Sequence, residues 1–287
     1  MLYATAAYLV WGVVPIYWKQ VAWVPALEML APRIVCTALL MLVLIVAVRR
    51  TAELRGVDRA ALPRGLGTAA LLSVNWGTFI YAVQTDRVLA TSLGYYINPL
   101  VSVILGLLVL RERLNRVQSL AVVLAGLGVA YLTYALGSLP WIAVVLALSF
   151  GLYGLAHKLA PSPPMAGLAI EMLLMTPIAL LGWLWLASRG EAQLANASGG
   201  WLLVVSGSAA ITAVPLLAFH AATRRLPLVA VGMFQYIAPT LSLMIAVVLY
   251  EEPFTFAHAI CFGCVWLGLA LFTSDALTRA RRSGRVV

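Results

Sequence analysis

Tyr96-Ile97-Asn98-Pro99, followed by an apolar run that ends at Glu112, is the stretch from which the rest of the chain is read. It returns as Tyr236-Ile237-Ala238-Pro239, at an offset of 140 residues, with an apolar run that ends at Glu252. Ser102 and Ser242 keep the same register. Five identities at one offset mean that two halves share one plan, which constrains the fold before any local propensity does. The match spreads outward. Leu9-Val10-Trp11-Gly12 to Lys19 corresponds to Leu148-Ser149-Phe150-Gly151 to Lys158, and Leu27-Glu28-Met29-Leu30 to Ile170-Glu171-Met172-Leu173. Asn75 falls at the register of Pro215.

The solvent of this fold follows from composition. Hydrophobic residues make up 63% of the 287, and charged residues only 10%, against about 25% charge in a soluble domain. A soluble core of that size could not hide so much apolar surface, so lipid is the expected solvent. Cys36, Cys261 and Cys264 all lie in apolar runs and imply no disulfide framework. The segment from Leu2, with Trp11, Pro15 and Trp18, reads as a retained first membrane helix and not a cleaved signal peptide.

Charged and Pro/Gly-rich breaks leave ten apolar runs: 2–18, 27–48, 66–85, 90–110, 117–134, 139–157, 166–187, 201–220, 228–250 and 256–274. Each is roughly 17–23 residues, enough for a helix to cross about 30 Å of hydrocarbon. Helix is required because lipid offers no partner to backbone N–H and C=O groups. Of the 19 lysines and arginines, fifteen fall in alternate connections and the tail: Arg49, Arg50, Arg55, Arg59, Arg64, Arg111, Arg113, Arg116, Lys158, Arg224, Arg225, Arg279, Arg281, Arg282 and Arg285. Only Lys19, Arg87 and Arg189 face the other side, and Arg33 lies within the second run. This asymmetry predicts cytoplasmic amino and carboxy termini. It also assigns the net charge of +9 to topology and lipid headgroups, with no nucleic acid as partner.

Five helices per half is an odd number, so the second copy enters from the opposite face. The expected fold is all-α and integral to the membrane: ten transmembrane helices in two inverted five-helix repeats around a central cavity. The units are 1–135, 136–275 and a basic cytoplasmic tail, 276–287. Inverted repeats of this kind underlie alternating-access carriers. The fifth run carries Ala121, Ala125 and Gly128, and the tenth Cys264 and Gly268. These small residues suit close packing of peripheral helices, with an oligomer contact such as a homodimer as one use.

An ionisable side chain at mid-membrane costs at least about 2.5–3.5 kcal/mol, so it usually faces a cavity or a partner. Glu28 and Arg33 could pair at the helix end, or Arg33 could hold an anionic group in an aqueous cavity. Glu171 has no such arginine and is the best candidate for a buried carboxylate, which would allow coupling to a proton or other ion. A hydrogen-bonded structural role is the plainer reading. Lys19 and Lys158 could snorkel or form gate walls. Asn75, Trp76, Tyr81, Asn98, His220, Gln235 and Tyr236 could bind cargo or simply bridge helices. Pro99 and Pro239 mark bent or broken helices, because proline frees a backbone carbonyl. Trp11 and Tyr8, with Phe150 and Tyr153, could stack on a substrate or pack. Glu112 and Glu252 sit at loop edges and are expected to cap or pair at helix ends.

Enzyme chemistry finds little support. His258-x-x-Cys261-x-x-Cys264 has no second cluster to complete a metal site, and His220 with Ser206 or Ser208 lacks a nucleophile motif. There is no phosphate-binding loop. No metal and no cofactor are expected.

With these residues in view, the chain resembles the drug/metabolite transporter superfamily in its EamA branch, and within it the RarD-like permeases. The resemblance is carried by Ala7-Tyr8-Leu9-Val10-Trp11-Gly12 to Pro15-Ile16-Tyr17-Trp18-Lys19, Ser92-Leu93-Gly94-Tyr95-Tyr96-Ile97-Asn98-Pro99, Arg111-Glu112-Arg113, Pro215-Leu216-Leu217 and Gln235-Tyr236-Ile237-Ala238-Pro239-Thr240. It implies two EamA repeats whose first four helices surround a cavity, in a bacterial inner-membrane carrier that often exports small metabolites or drugs. The expected function is a secondary transporter of a small organic solute. Trp11, Asn75, Trp76, Tyr96, Asn98, Glu171, Gln235 and Tyr236 are its expected site, and Lys19, Glu28, Arg33 and Lys158 its gating or charge-pairing residues. A membrane scaffold without transport, or an intramembrane enzyme, are the alternatives.

Overall fold

The computed structural model describes residues 1–287 except 22, 56–60, 86–87, 138–140, 161–162, 195–196, 252–253 and 283–287. Glu252, Arg59, Arg87 and Arg285 therefore lie outside the described residues. The described chain is helical throughout, with no strand. Its elements are α1 (Leu2–Gln20), α2 (Ala26–Ala47), α3 (Thr51–Arg55), α4 (Ala61–Gln84), α5 (Val88–Leu108), α6 (Arg116–Ala135), α7 (Trp141–Leu159), α8 (Pro164–Ser188), α9 (Gly199–Thr223), α10 (Leu228–Gln235), α11 (Ile237–Leu249) and α12 (Phe256–Arg282).

Among the described residues, seven segments are long and apolar enough to cross a membrane: Glu28–Ala47, Arg116–Ala135, Trp141–Leu159, Pro164–Ser188, Gly199–Thr223, Leu228–Leu249 and Phe256–Arg279. α5 adds a shorter apolar stretch, Leu93–Leu108. Val43, Val46, Leu181, Leu203 and Val248 point outward, where lipid replaces the water that would penalise them.

Local chemistry sets the helix ends. Asn115 and Gln118 form a reciprocal capping box at the start of α6, and the Asn115 amide also donates to Asp275 at 2.7 Å, tying that end to α12. The two sequence copies finish their fourth helices alike. Leu110 N bonds to Leu105 O, Tyr250 N bonds to Ile245 O, and the next residues, Arg111 and Glu251, both have φ of 54°. A left-handed residue stops a helix, at about 1–2 kcal/mol when it is not glycine.

α1 packs against α9 and α11, and α7 against α4 and α5. α2 meets α8 and α9, α4 meets α8, α5 meets α10, and α6 meets α12. Missing side chains permit the closest approaches. A Cβ at Gly12 would lie 2.7 Å from Leu241, and one at Gly151 would lie 2.6 Å from Val101. The small residues of the fifth and tenth runs face each other within the chain: Gly128 meets Cys264, and Gly268 meets the Ala121 backbone. This seam joins α6 to α12 inside one molecule, which accounts for those residues without a second copy.

Two large buried clusters result, beside two smaller ones. One gathers Tyr8, Trp76, Tyr153, Met172, Phe219 and Phe234, with Trp11 and Phe150 packed against it. The other gathers Tyr96, Tyr236, Val129, Cys261, Val265 and Phe272. The repeated prolines behave differently. α5 runs unbroken through Pro99, whereas helix is interrupted at Tyr236, three residues before Pro239. There the Thr240 hydroxyl donates to Tyr236 O at 2.7 Å, a back-bond that bends helices. Leu100 holds the matching place in the first half and has no hydroxyl to offer.

Candidate functional site

The most concentrated polar chemistry in the described membrane-spanning helices surrounds Glu171 on α8. Its carboxylate is 1% exposed. Oε1 lies 2.8 Å from His157 Nε2 on α7, and Oε2 accepts the Tyr153 hydroxyl at 2.9 Å. Tyr153 Oη is also 2.6 Å from His220 Nε2 on α9, which itself lies 4.0 Å from Glu171 Oε2. A phenol has one proton, so the consistent assignment is a relay: His220 Nε2–H donates to Tyr153, and Tyr153 donates to Glu171. The two imidazoles stack with centroids 3.8 Å apart at 29°. One candidate ligand atom each from His157, Glu171 and His220 lies within 4.8 Å of the others.

Glu171 is buried as expected and has no arginine partner among the described residues; two imidazoles and a phenol surround it instead. His157 was not singled out by the sequence, although it follows Tyr153 by one helical turn and so shares its face. His220 was noted without its partner.

An aromatic wall connects this cluster to α1. Trp11 lies 5.6 Å from Tyr8, 5.7 Å from Phe150 and 6.0 Å from Phe219, centroid to centroid. Phe150 in turn contacts Tyr153 at 5.7 Å.

Glu28 and Arg33 do not pair. Five helical residues turn the chain through about 500°, which leaves the two side chains about 140° apart. Glu28 is fully buried and accepts the backbone N–H groups of Gln193 and Leu194, each at 2.9 Å, and the Trp183 indole at 3.3 Å. It organises the α8–α9 connection. Arg33 instead donates through Nε to Thr212 at 2.8 Å, with its guanidinium 4.0 Å from the Trp76 ring and 5.3 Å from the Trp18 ring. Cation–π contact is worth about 0.5–2 kcal/mol, less than the several kcal/mol that an ion loses on leaving water. Aromatic contact alone therefore does not settle this charge.

Asn75 spends its amide donors on Leu146 O and Ser149 Oγ, both at 3.0 Å, and so bridges α4 to α7. Asn98, Gln235, Tyr96 and Tyr236 are buried with Oδ1, Oε1 and both Oη atoms unpartnered. Asn98 and Gln235 flank the closest α5–α10 crossing, where a Cβ at Gly232 would lie 2.8 Å from Pro99 O. Tyr96 contacts Phe262 of α12 at 5.9 Å, so the two repeated tyrosines belong to the second cluster and not to the Trp11 wall. Lys19 stacks on Tyr250 at 4.2 Å, and Lys158 donates to Leu226 O at 2.6 Å. Glu112 caps α10, accepting Leu228 N at 2.7 Å and Val229 N at 2.9 Å. A cavity of about 240 Å³ opens between α2, α8 and α9, lined by Pro32, Cys36, Trp183 and Ser206 among others. None of the expected cargo residues lines it.

Known proteins resemble this chain along almost its whole length. The model of the EamA-like transporter family matches residues 1–134 and again 139–274. The uncharacterized transporter YojE of Bacillus subtilis (strain 168) is 41% identical over 288 residues, covering 99% of this chain and 96% of its own. Protein RarD of Escherichia coli (strain K12) is 37% identical over 289 residues, covering 99% and 97%. One solved crystal structure superposes with a TM-score of 0.74 at 20% identity, covering 98% and 97% of the two chains, a likeness of fold alone. The chain is a RarD-like member of the EamA-like transporter family, a family of transporters and not of enzymes.

Proposed function

We propose that the protein is a secondary carrier that moves a small organic solute across the bacterial inner membrane by alternating access. The observation that carries this reading is the pattern of helix pairings. With α1 matched to α7, α2 to α8, α4 to α9, α5 to α10–α11 and α6 to α12, exchanging the halves turns α1·α9 into α7·α4, α1·α11 into α7·α5 and α2·α9 into α8·α4. The pairs α2·α8, α5·α10 and α6·α12 turn into themselves. All of these contacts are present. Such an arrangement lets two halves trade inward and outward shapes around one site.

On this reading there are ten crossings in two inverted repeats, 1–135 and 136–275, with both termini and the 276–287 tail cytoplasmic. Trp11 and Trp76 contact the apolar part of the cargo. Asn98 and Gln235 offer free carbonyl oxygens to its donors, and Glu171 handles charge or a proton. Asn75 holds α4 to α7 beside them, and Tyr96 and Tyr236 seat the crossing helices against α12. Lys19 and Lys158 close opposite ends, and the break before Pro239 lets α10 and α11 move separately.

The test is counterflow in proteoliposomes over a panel of amino acids, nucleosides and chloramphenicol-like compounds. Saturable exchange of at least one class is expected, reduced by Asn98→Ala and Gln235→Ala in protein of unchanged thermal stability. Exchange untouched by both substitutions would remove those residues from the site. A tail found on the face opposite residues 51–64 would remove the topology.

A further inference from the structure

Arg33 holds a full positive charge inside a membrane-spanning helix, and among the described residues no carboxylate pairs with it. Glu28, the acid nearest in sequence, is committed to two backbone amides and an indole. Of the five guanidinium N–H groups, only Nε–H has an acceptor among the described residues, Thr212. The Nη atoms are not among the sealed, unpartnered polar atoms, and the side chain is part exposed. Its terminal N–H groups are therefore neither bonded to a described acceptor nor sealed from their surroundings. The surrounding groups are neutral: Trp18 and Trp76 cover it, Thr212 fixes its orientation, and the Tyr17 and Tyr95 phenols lie within electrostatic reach. These come from α1, α4, α5 and α9, so both halves of the chain build the surroundings of one cation.

A guanidinium with its terminal donors free presents two parallel N–H vectors, the arrangement that matches the two oxygens of a carboxylate or phosphate. Trp76 shares its packed cluster with Trp11 and Phe150, which supplies apolar and aromatic surface nearby. We propose that Arg33 is the anchor for an oxyanion on the transported solute, so that the cargo class is an organic carboxylate or phosphate with an apolar or aromatic body. This rests on the carrier reading above. A phospholipid headgroup carries the same oxyanion chemistry, and the experiment separates the two sources.

The test uses the full chain in phosphatidylcholine nanodiscs, with benzoate, phenyl phosphate and their neutral analogue benzamide as probes. Quenching of tryptophan fluorescence reports binding, and thermal unfolding reports stabilisation. At least one of the two anions is expected to bind at least tenfold more tightly than benzamide. Arg33→Gln is expected to abolish that preference, and Arg33→Lys to keep part of it. The preference in the unsubstituted protein stands whether or not a variant folds. An equal response to all three probes, no response at all included, overturns the proposal, as does a folded Arg33→Gln protein that keeps the preference. Loss of anion binding when phosphatidylglycerol replaces part of the phosphatidylcholine assigns the site to a headgroup and overturns the assignment to cargo. Counterflow separates this proposal from the carrier reading. Counterflow of a neutral solute that the anions do not inhibit sinks the oxyanion site alone. Arg33-dependent binding without counterflow of the same anion sinks transport alone.

Discussion

Glu28 and Glu171 hold matching places in the two sequence copies, and both are buried, yet their surroundings share nothing. Glu28 sits in a cradle of two main-chain amides and an indole. All three are donors that never give up their proton near neutral pH. Glu171 faces two imidazoles and a phenol, groups that can each both donate and accept a hydrogen bond. A carboxylate held only by donors is fixed in place, whereas neighbours that can also accept can rearrange their hydrogen bonds around it. Duplication thus supplied one residue twice. One copy is built into the α8–α9 connection, and the other lies among groups that both donate and accept hydrogen bonds.

Substitutions can break this contrast. The largest effect is expected from Glu28→Ala, which strands two buried amides at about 1–3 kcal/mol each. Thermal unfolding in detergent should show a lowered midpoint, with Glu28→Gln recovering about half; an unshifted midpoint would mean the cradle is not structural. Glu171→Gln should do the reverse. Its unfolding midpoint stays near that of the unsubstituted protein, while counterflow falls about tenfold, or 1.4 kcal/mol, and its pH profile flattens. A retained pH profile would take Glu171 out of proton handling. His157→Gln should lower counterflow by about threefold and His220→Gln by less, because His157 lies 2.8 Å from the carboxylate and His220 4.0 Å. The reverse order would place the working proton on the Tyr153–His220 side. The smallest effect belongs to the other asymmetry between the halves. Thr240→Leu copies Leu100 and removes a hydrogen bond worth about 1 kcal/mol. Hydrogen exchange at residues 235–240 should slow as the helix closes up.

Much of this was legible in the residues. The repeat and the membrane class follow from matching motifs and a scarce set of charges in an apolar chain. Glu112 announced its capping role by sitting at the end of an apolar run. The Glu28–Arg33 pairing was the reading that helical geometry already opposed, since residues five apart do not share a face. The histidine cluster was hidden for a different reason. His157, Glu171 and His220 come from three helices, and their register is set by side-chain packing that no single helix encodes. The seam between α6 and α12 was half visible: the small residues showed that something approaches closely, and not what.

That seam has a mechanical consequence. Gly128 there meets the Cys264 Cβ and the Cys261 carbonyl, Gly268 meets the Ala121 carbonyl, and the Asn115–Asp275 bond pins one end. On the carrier reading proposed above, contact this tight would serve as an axle, with no slack for sliding. Spin labels placed across α6 and α12 should keep a constant separation through the cycle, while labels across α2 and α8 record the stroke.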